Sequence, residues 1–215
     1  MSISAKDVAA LRRQTGAGMM DCKKALVESE GDIGKAKEYL QKKSLAAIGK
    51  RADRTAAEGV VGSYIHNGRI GVLVELNSET DFVARNEDFQ RLAKDVAMHI
   101  AATNPEYVDS SEIPAAYVAK QKEIFLAQME DAGKPANILE RIVEGKLRKW
   151  KSEICLLDQA FVRDTDKTIN ELVIEVAAVV KENIKIRRFV RFELGEGIEK
   201  EETDFAAEVA AATAG

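Results

Sequence analysis

The sequence predicts an α+β fold, and three observations predict it. Residues 1–41 carry helical periodicity broken at short intervals, which implies a small bundle. Asn67-Gly68 stands between two β-rich runs, the strongest short-range sign of a tight hairpin. Strongly periodic helices and one further alternating stretch then follow, without regular βα repeats. The expected architecture is a three-helix amino-terminal bundle (1–41), a linker (42–58) and an α/β core (59–200) with a three-stranded antiparallel sheet and packed helices. A projecting helical hairpin (113–151) belongs to that core, and a C-terminal helical module closes the chain (201–215).

The elements follow in order. Ser4 with Asp7 resembles a capping box, and Val8 and Leu11 give the first helix its apolar face. Gly16-Ala-Gly18 breaks that helix. A second, from about Met19 to Glu30, carries Cys22, Ala25, Leu26 and Ser29 on one side. Gly31 can end it, and Asp32 can cap a third helix bearing Ile33, Ala36 and Leu40. Three such short helices lie near the lower size limit for independent stability, and a unit of this kind presents a surface more readily than it houses an enzyme. The stretch from Lys42 to Arg54 is basic and alanine-rich, a partly helical linker with Gly49 as its flexible point.

A two-residue turn at Asn67-Gly68 pairs Ile65 with Ile70, Ser63 with Val72 and Val61 with Val74 on one face, the expected core surface. The opposite face pairs His66 with Arg69, Tyr64 with Gly71 and Gly62 with Leu73, a mixture suited to an interface. Asn86 can cap a helix carrying Phe89, Leu92, Ala93, Val96, Ala97 and Ile100, which Asn104-Pro105 ends. Helical stretches over 113–131 and 136–151 flank the breaker Gly133-Lys-Pro135 and form the helical hairpin. Thr168-Ile-Asn-Glu171 is a full capping box before Leu172, Val173, Val176, Ala177 and Val180. Ile184, Ile186, Val190, Phe192 and Leu194 alternate as the third strand, and a last helix from about Thr203 carries Phe205, Val209 and Ala212.

Composition narrows the function. The chain of 215 residues is 46% hydrophobic and 32% charged with a net charge of −4, so no global field draws it to nucleic acid or an anionic membrane. No apolar run approaches the roughly 20 residues of a membrane span, and the first residues lack the apolar stretch of a secretory signal. Cys22 and Cys155 are far apart and form no metal-ligand pair, which fits reduced thiols in a cytoplasmic protein. No cofactor is implied.

Chemistry is sparse. His99 falls within an amphipathic helix and reads as structural. His66 stands beside the hairpin turn, with Glu75 and Asp81 later in the chain. A hydrolase using that histidine with either carboxylate would show a bell-shaped pH profile, yet no spacing rule joins them. An RNA-binding role for Lys42 to Arg54 would show steep salt dependence, yet no aromatic residues interleave. Gly16-Ala-Gly18 follows a helix rather than a strand and reads as a helix-to-helix turn, not a phosphate cradle. Thr80-Asp81-Phe82-Val83 is open to two readings. It is either a helix cap with Phe82 folded onto the core, or an exposed aromatic wedge with a neighbouring anion, a common form of interface anchor. Met19-Met20 poses the same choice between core and protein-binding surface.

Three motifs add a resemblance. Leu11-Arg-Arg-Gln-Thr-Gly-Ala-Gly-Met-Met-Asp-Cys-Lys-Lys-Ala-Leu26 resembles the amino-terminal signature of the elongation factor Ts family. So does Glu75-Leu-Asn-Ser-Glu-Thr-Asp-Phe-Val-Ala-Arg-Asn86. So do Arg191-Phe-Glu-Leu-Gly-Glu-Gly-Ile-Glu-Lys200 and Thr203-Asp-Phe-Ala-Ala-Glu-Val-Ala210, in the same order as in the family. The resemblance implies a non-catalytic guanine nucleotide exchange factor whose partner is elongation factor Tu, GDP-bound and nucleotide-free. It implies a UBA-like amino-terminal bundle, with Met19 and Met20 contacting the partner's nucleotide-binding domain. Asp81 and Phe82, flanked by Thr80 and Val83, would wedge between helices of that domain near its magnesium site. Phe205 and Val209 match a terminal module that also touches the partner.

Longer members contain two α/β halves, whereas one hairpin-helix-strand set is found here. Gly62 to Glu75, His66 included, resembles their second half, and Thr80 to Val83 their first. The expectation is therefore a homodimer through the core sheet, with the Tyr64/His66 face restoring the missing half.

Overall fold

The computed structural model describes residues 3–51, 53–129 and 135–198. The expected terminal helix, with Phe205 and Val209, lies outside them, as do Gly133 and Lys134 of the breaker.

Helices α1 (Ala5–Thr15), α2 (Met19–Glu28) and α3 (Ile33–Gly49) form the amino-terminal bundle. Ser4 caps α1 by accepting the Asp7 N–H. Val8, Leu11, Cys22, Ala25, Leu26, Ala36 and Leu40 make a separate small core. These are the positions that helical periodicity marks. α3 runs beyond the expected end near Leu40 to Gly49, so Lys42 and Lys43 are helical, and Lys43 pairs with Asp21 of α2 at 2.7 Å.

Strands β1 (Glu58–His66), β2 (Ile70–Ser78) and β5 (Lys185–Glu193) form an antiparallel sheet in the order β1-β2-β5. Helix α5 (Glu87–Thr103) lies across β1 and β2, with α8 (Ile169–Val180) beside it. Phe89, Leu92, Val96 and Ile100 of α5 meet Val72, Val74 and Leu76 in the main core, together with Ile169, Val173 and Ala177 of α8. Helices α6 (Ala115–Ala127) and α7 (Ala136–Ile154) pair antiparallel. Tyr117 meets Trp150 edge-on at 5.2 Å, and the Lys146 ammonium lies 5.6 Å from the Phe125 ring centre. α6 buries none of its residues. A short ribbon, β3 (Ala160–Phe161) with β4 (Asp164–Thr168), leads into α8 and was not expected from periodicity.

The hairpin register differs from the sequence reading by one residue. His66 pairs with Ile70, Tyr64 with Val72 and Gly62 with Val74. Asn67 and Gly68 do take the positive φ angles that the turn requires, and the Arg69 N–H donates to the His66 carbonyl. Arg69 is then left over as an extra residue before β2. A one-residue slip exchanges the faces of a strand. Val60, Gly62 and Tyr64 therefore face the helices, with a Cβ at Gly62 lying tight against Ala93 of α5 at 3.1 Å, while Val61 and Ile65 face outward.

β5 is corrected in the same way. A bulge places Arg188 opposite Glu75 and Ile186 opposite Leu76, with Arg187 as the extra residue. Ile186 points into the core, but Val190, Phe192 and Leu194 lie exposed on the outer side with Leu73. The expected Tyr64/His66 interface face is thus not the sheet's open face. The open face is formed by Val61, Ile65, Leu73, Val190 and Phe192.

Candidate functional site

The segment after β2 carries the most unusual exposed residue. Thr80 caps a single helical turn, α4 (Asp81–Ala84), by accepting the Val83 N–H. Ala84 is buried and Val83 packs on the main core, so the turn is pinned along one side. A four-residue turn shows its second residue to the side opposite the fourth, and Phe82 is 79% exposed. The ring does not fold back on the core. Asp81 beside it is held by Arg85 at 2.7 Å, an exposed i,i+4 pair.

The backbone leading into this turn is clamped from a distant part of the chain. The Glu182 carboxylate accepts from the Glu79 N–H at 3.1 Å, the Thr80 N–H at 3.0 Å and the Thr80 hydroxyl at 2.7 Å. In return the Glu79 carboxylate accepts from the Asn183 N–H at 2.7 Å and from Arg54 at 3.3 Å. The Asn183 N–H and Arg54 hold the Glu79 carboxyl below the usual range, against the opposing effect of burial. Ser78, fully buried, donates to the Thr80 carbonyl. Lys181, at φ 62°, ends α8 and turns the chain so that residues 182 and 183 face 79 and 80.

Met19 and Met20 begin α2 and are both exposed, Met20 at 74%. They follow the Gly16 turn, whose φ is 66° and where an added Cβ would lie 3.1 Å from Val179 of α8. Asp21 sits in the same first turn of α2. Lys43 lowers its pKa most, with a smaller contribution from Lys181. The end of α8 therefore lies under both the Met19-Met20 turn and the Phe82 turn. Sequence reasoning missed Val179, Lys181 and Glu182, because each is separated from the groups it touches by a long stretch of chain.

His66 is exposed at the hairpin tip, 3.1 Å from the Tyr64 hydroxyl through Nδ1. Glu75 lies opposite Val61, five residues down β1, which is ~17 Å away at strand spacing. Glu75 is engaged by Arg188 at 2.7 Å and Arg187 at 3.1 Å, and these hold its carboxyl below the usual range. Asp81 is engaged by Arg85. The histidine and the two carboxylates are not brought together, so the geometry gives the hydrolase alternative no acid/base pair.

His99 is fully buried. Its Nδ1 accepts the Val162 N–H at 3.4 Å, so Nε2 carries the proton and donates to Gln159 Oε1 at 2.9 Å. Burial pushes its pKa down. Burial also pushes the Cys155 thiol up to about 11, which leaves it a poor nucleophile. Among the described residues no group of three or more His, Cys, Asp and Glu side chains is arranged to hold a metal ion, and no helix is long and apolar enough to cross a membrane.

A family model described as elongation factor TS matches residues 28–196. Proteins named Elongation factor Ts from Geobacter sulfurreducens and Geobacter metallireducens are 57% and 59% identical over 213 residues, covering 99% of both chains in each case. One of the same name from Acetivibrio thermocellus is 58% identical over 208 residues, covering 96% of this chain and 97% of its own. The matched region takes in α3, the sheet, α4 with Phe82 and the end of α8. The chain belongs to the elongation factor Ts family.

Proposed function

We propose that this protein is the guanine nucleotide exchange factor of elongation factor Tu, driving GDP release during translation elongation by binding and not by catalysis. The single observation that carries the reading is Phe82, a large apolar ring held 79% exposed on a rigid turn beside a carboxylate. Exposing such a ring costs free energy that a partner surface recovers, and buried aromatic anchors dominate protein interfaces. Asp81 and Phe82, with Thr80 and Val83 as their frame, would enter the partner's nucleotide-binding domain near its magnesium ion. Displacing that ion removes the main charge balancing the nucleotide phosphates. An exchange factor that binds the empty partner more tightly than the GDP form must, by reciprocity, weaken GDP. Met19 and Met20 of the UBA-like bundle would form a second contact on the same domain, and His66 a third. The terminal Phe205 and Val209 would add a further contact. The setting is the cytoplasm.

The test is release of fluorescent GDP from elongation factor Tu. Phe82→Ala is expected to lose about 2 kcal/mol of binding, roughly thirty-fold in stimulated release, while remaining folded. Wild-type exchange by that variant would refute the wedge.

A second reading concerns assembly. Val61, Ile65, Leu73, Val190, Phe192 and Leu194 form a contiguous exposed apolar face on the sheet, and such faces mark interaction sites. Two copies would associate through it, sheet against sheet, and so form a homodimer.

A further inference from the structure

We infer that Glu182 is a positioning residue for nucleotide exchange, the clamp that fixes the direction of the Phe82 ring; this rests on the wedge reading above. An exposed ring makes few contacts with its own subunit, so among the described residues the surroundings of Phe82 do little to select its orientation. The backbone must supply that orientation, and α4 is too short to do so alone. Its entry residues are instead tied to one carboxylate that takes three donors from two successive residues, 102 and 103 positions away in sequence. Hydrogen bonds to an ionised carboxylate are about twice as strong as neutral ones. Two backbone N–H groups on one anion fix the successive peptide planes Ser78–Glu79 and Glu79–Thr80, which sets the axis of the turn that follows. The reverse bond from the Asn183 N–H to Glu79 closes the ring, so neither strand of the clamp can swing without breaking the other.

The same anion serves a second purpose. With the Thr80 hydroxyl donating to Glu182, its lone pairs remain free to accept the Val83 N–H. The cap of α4 and the clamp are therefore one hydrogen-bonded unit. Among the described residues, the hydrogen bonds of Glu182 go to Glu79 and Thr80 and not to Asp81 or Phe82, so it acts through the turn.

The experiment compares Glu182→Ala and Glu182→Gln, each in the wild-type and the Phe82→Ala background, by fluorescent-GDP release and by amide hydrogen exchange. Glu182→Ala is expected to lower stimulated release about tenfold and to lose protection at the Glu79 and Thr80 amides, with α5 amides unchanged. Glu182→Gln keeps one carbonyl oxygen for the two N–H groups and is expected to restore release to within about threefold. In the Phe82→Ala background, Glu182→Ala is expected to change release by less than about twofold, the mark of two residues acting as one. Thr80→Val, which removes the hydroxyl leg and with it the Val83 cap while leaving both N–H legs, is the second variant, expected to lower release about threefold.

Full release by Glu182→Ala beside an impaired Phe82→Ala would overturn the clamp and leave the wedge standing. An equal further loss in the Phe82→Ala background, or no rescue by Gln, would assign Glu182 to general stability and overturn the clamp. An active Phe82→Ala would remove wedge and clamp together.

Discussion

A buried imidazole such as His99 has to be neutral to remain where it is. Nδ1 faces the Val162 N–H, a donor, so a second ring proton would meet another hydrogen and break that bond. Gln159 completes the set, accepting from His99 and from Thr103 at 2.9 Å each and donating to the Glu153 carbonyl. Because burial lowers the folded-state pKa, the unfolded chain takes up the proton first as pH falls. The stabilisation is fully present above the unfolded value of about 6.5 and is lost as pH falls below it toward the folded value. Urea denaturation at pH 7.5 and at pH 5.5 is expected to show lower stability at the acid end, with the difference reduced in His99→Gln. An unchanged pH dependence in that variant would assign the acid loss to other groups. The contrast with His66, exposed at the hairpin tip, shows how burial and partners divide one residue type between architecture and surface.

Among the elements, α5 and α8 are the most legible in the sequence, since each combines a cap with an uninterrupted apolar stripe. Thr168 and Glu171 form the reciprocal cap that the sequence spells out, with the Glu171 N–H donating to Thr168 and the Thr168 N–H to Glu171. Thr168→Ala is expected to cost about 1 kcal/mol of stability by thermal or urea melting. A null effect would mean that tertiary packing alone holds the first turn. The strands were legible as strands but not in register. Arg69 and Arg187 are each a single extra residue, and a period of two has no means of marking which residue is spare. Both slips move apolar side chains from the expected core face to the open face, which is why the apolar outer surface went unseen. The β3–β4 ribbon escaped because Asp164 to Thr168 has no apolar alternation. At the site, Thr80 to Val83 stood out as an aromatic beside an acid in a polar connection. Glu182 did not, because a lone glutamate after a helix carries no local signal of a partner 102 residues away.

For the whole molecule, the open face of the sheet sets the expected assembly. Sedimentation of the full chain is expected to give a dimer, and Phe192→Glu with Ile65→Lys a folded monomer; an unmodified chain that sediments as a monomer with full exchange activity would exclude the pairing. A second consequence comes from the end of α8, which lies against Gly16 through Val179 and binds Thr80 through Glu182, while the Lys181 charge acts on Asp21. One helix end thus supports the turns that carry both Met20 and Phe82, much as a gauge supports a gap. A gauge does not yield to the part it measures. On the proposed mechanism the compliant member is the partner, and the work of bending it to meet both points is the free energy that GDP forfeits.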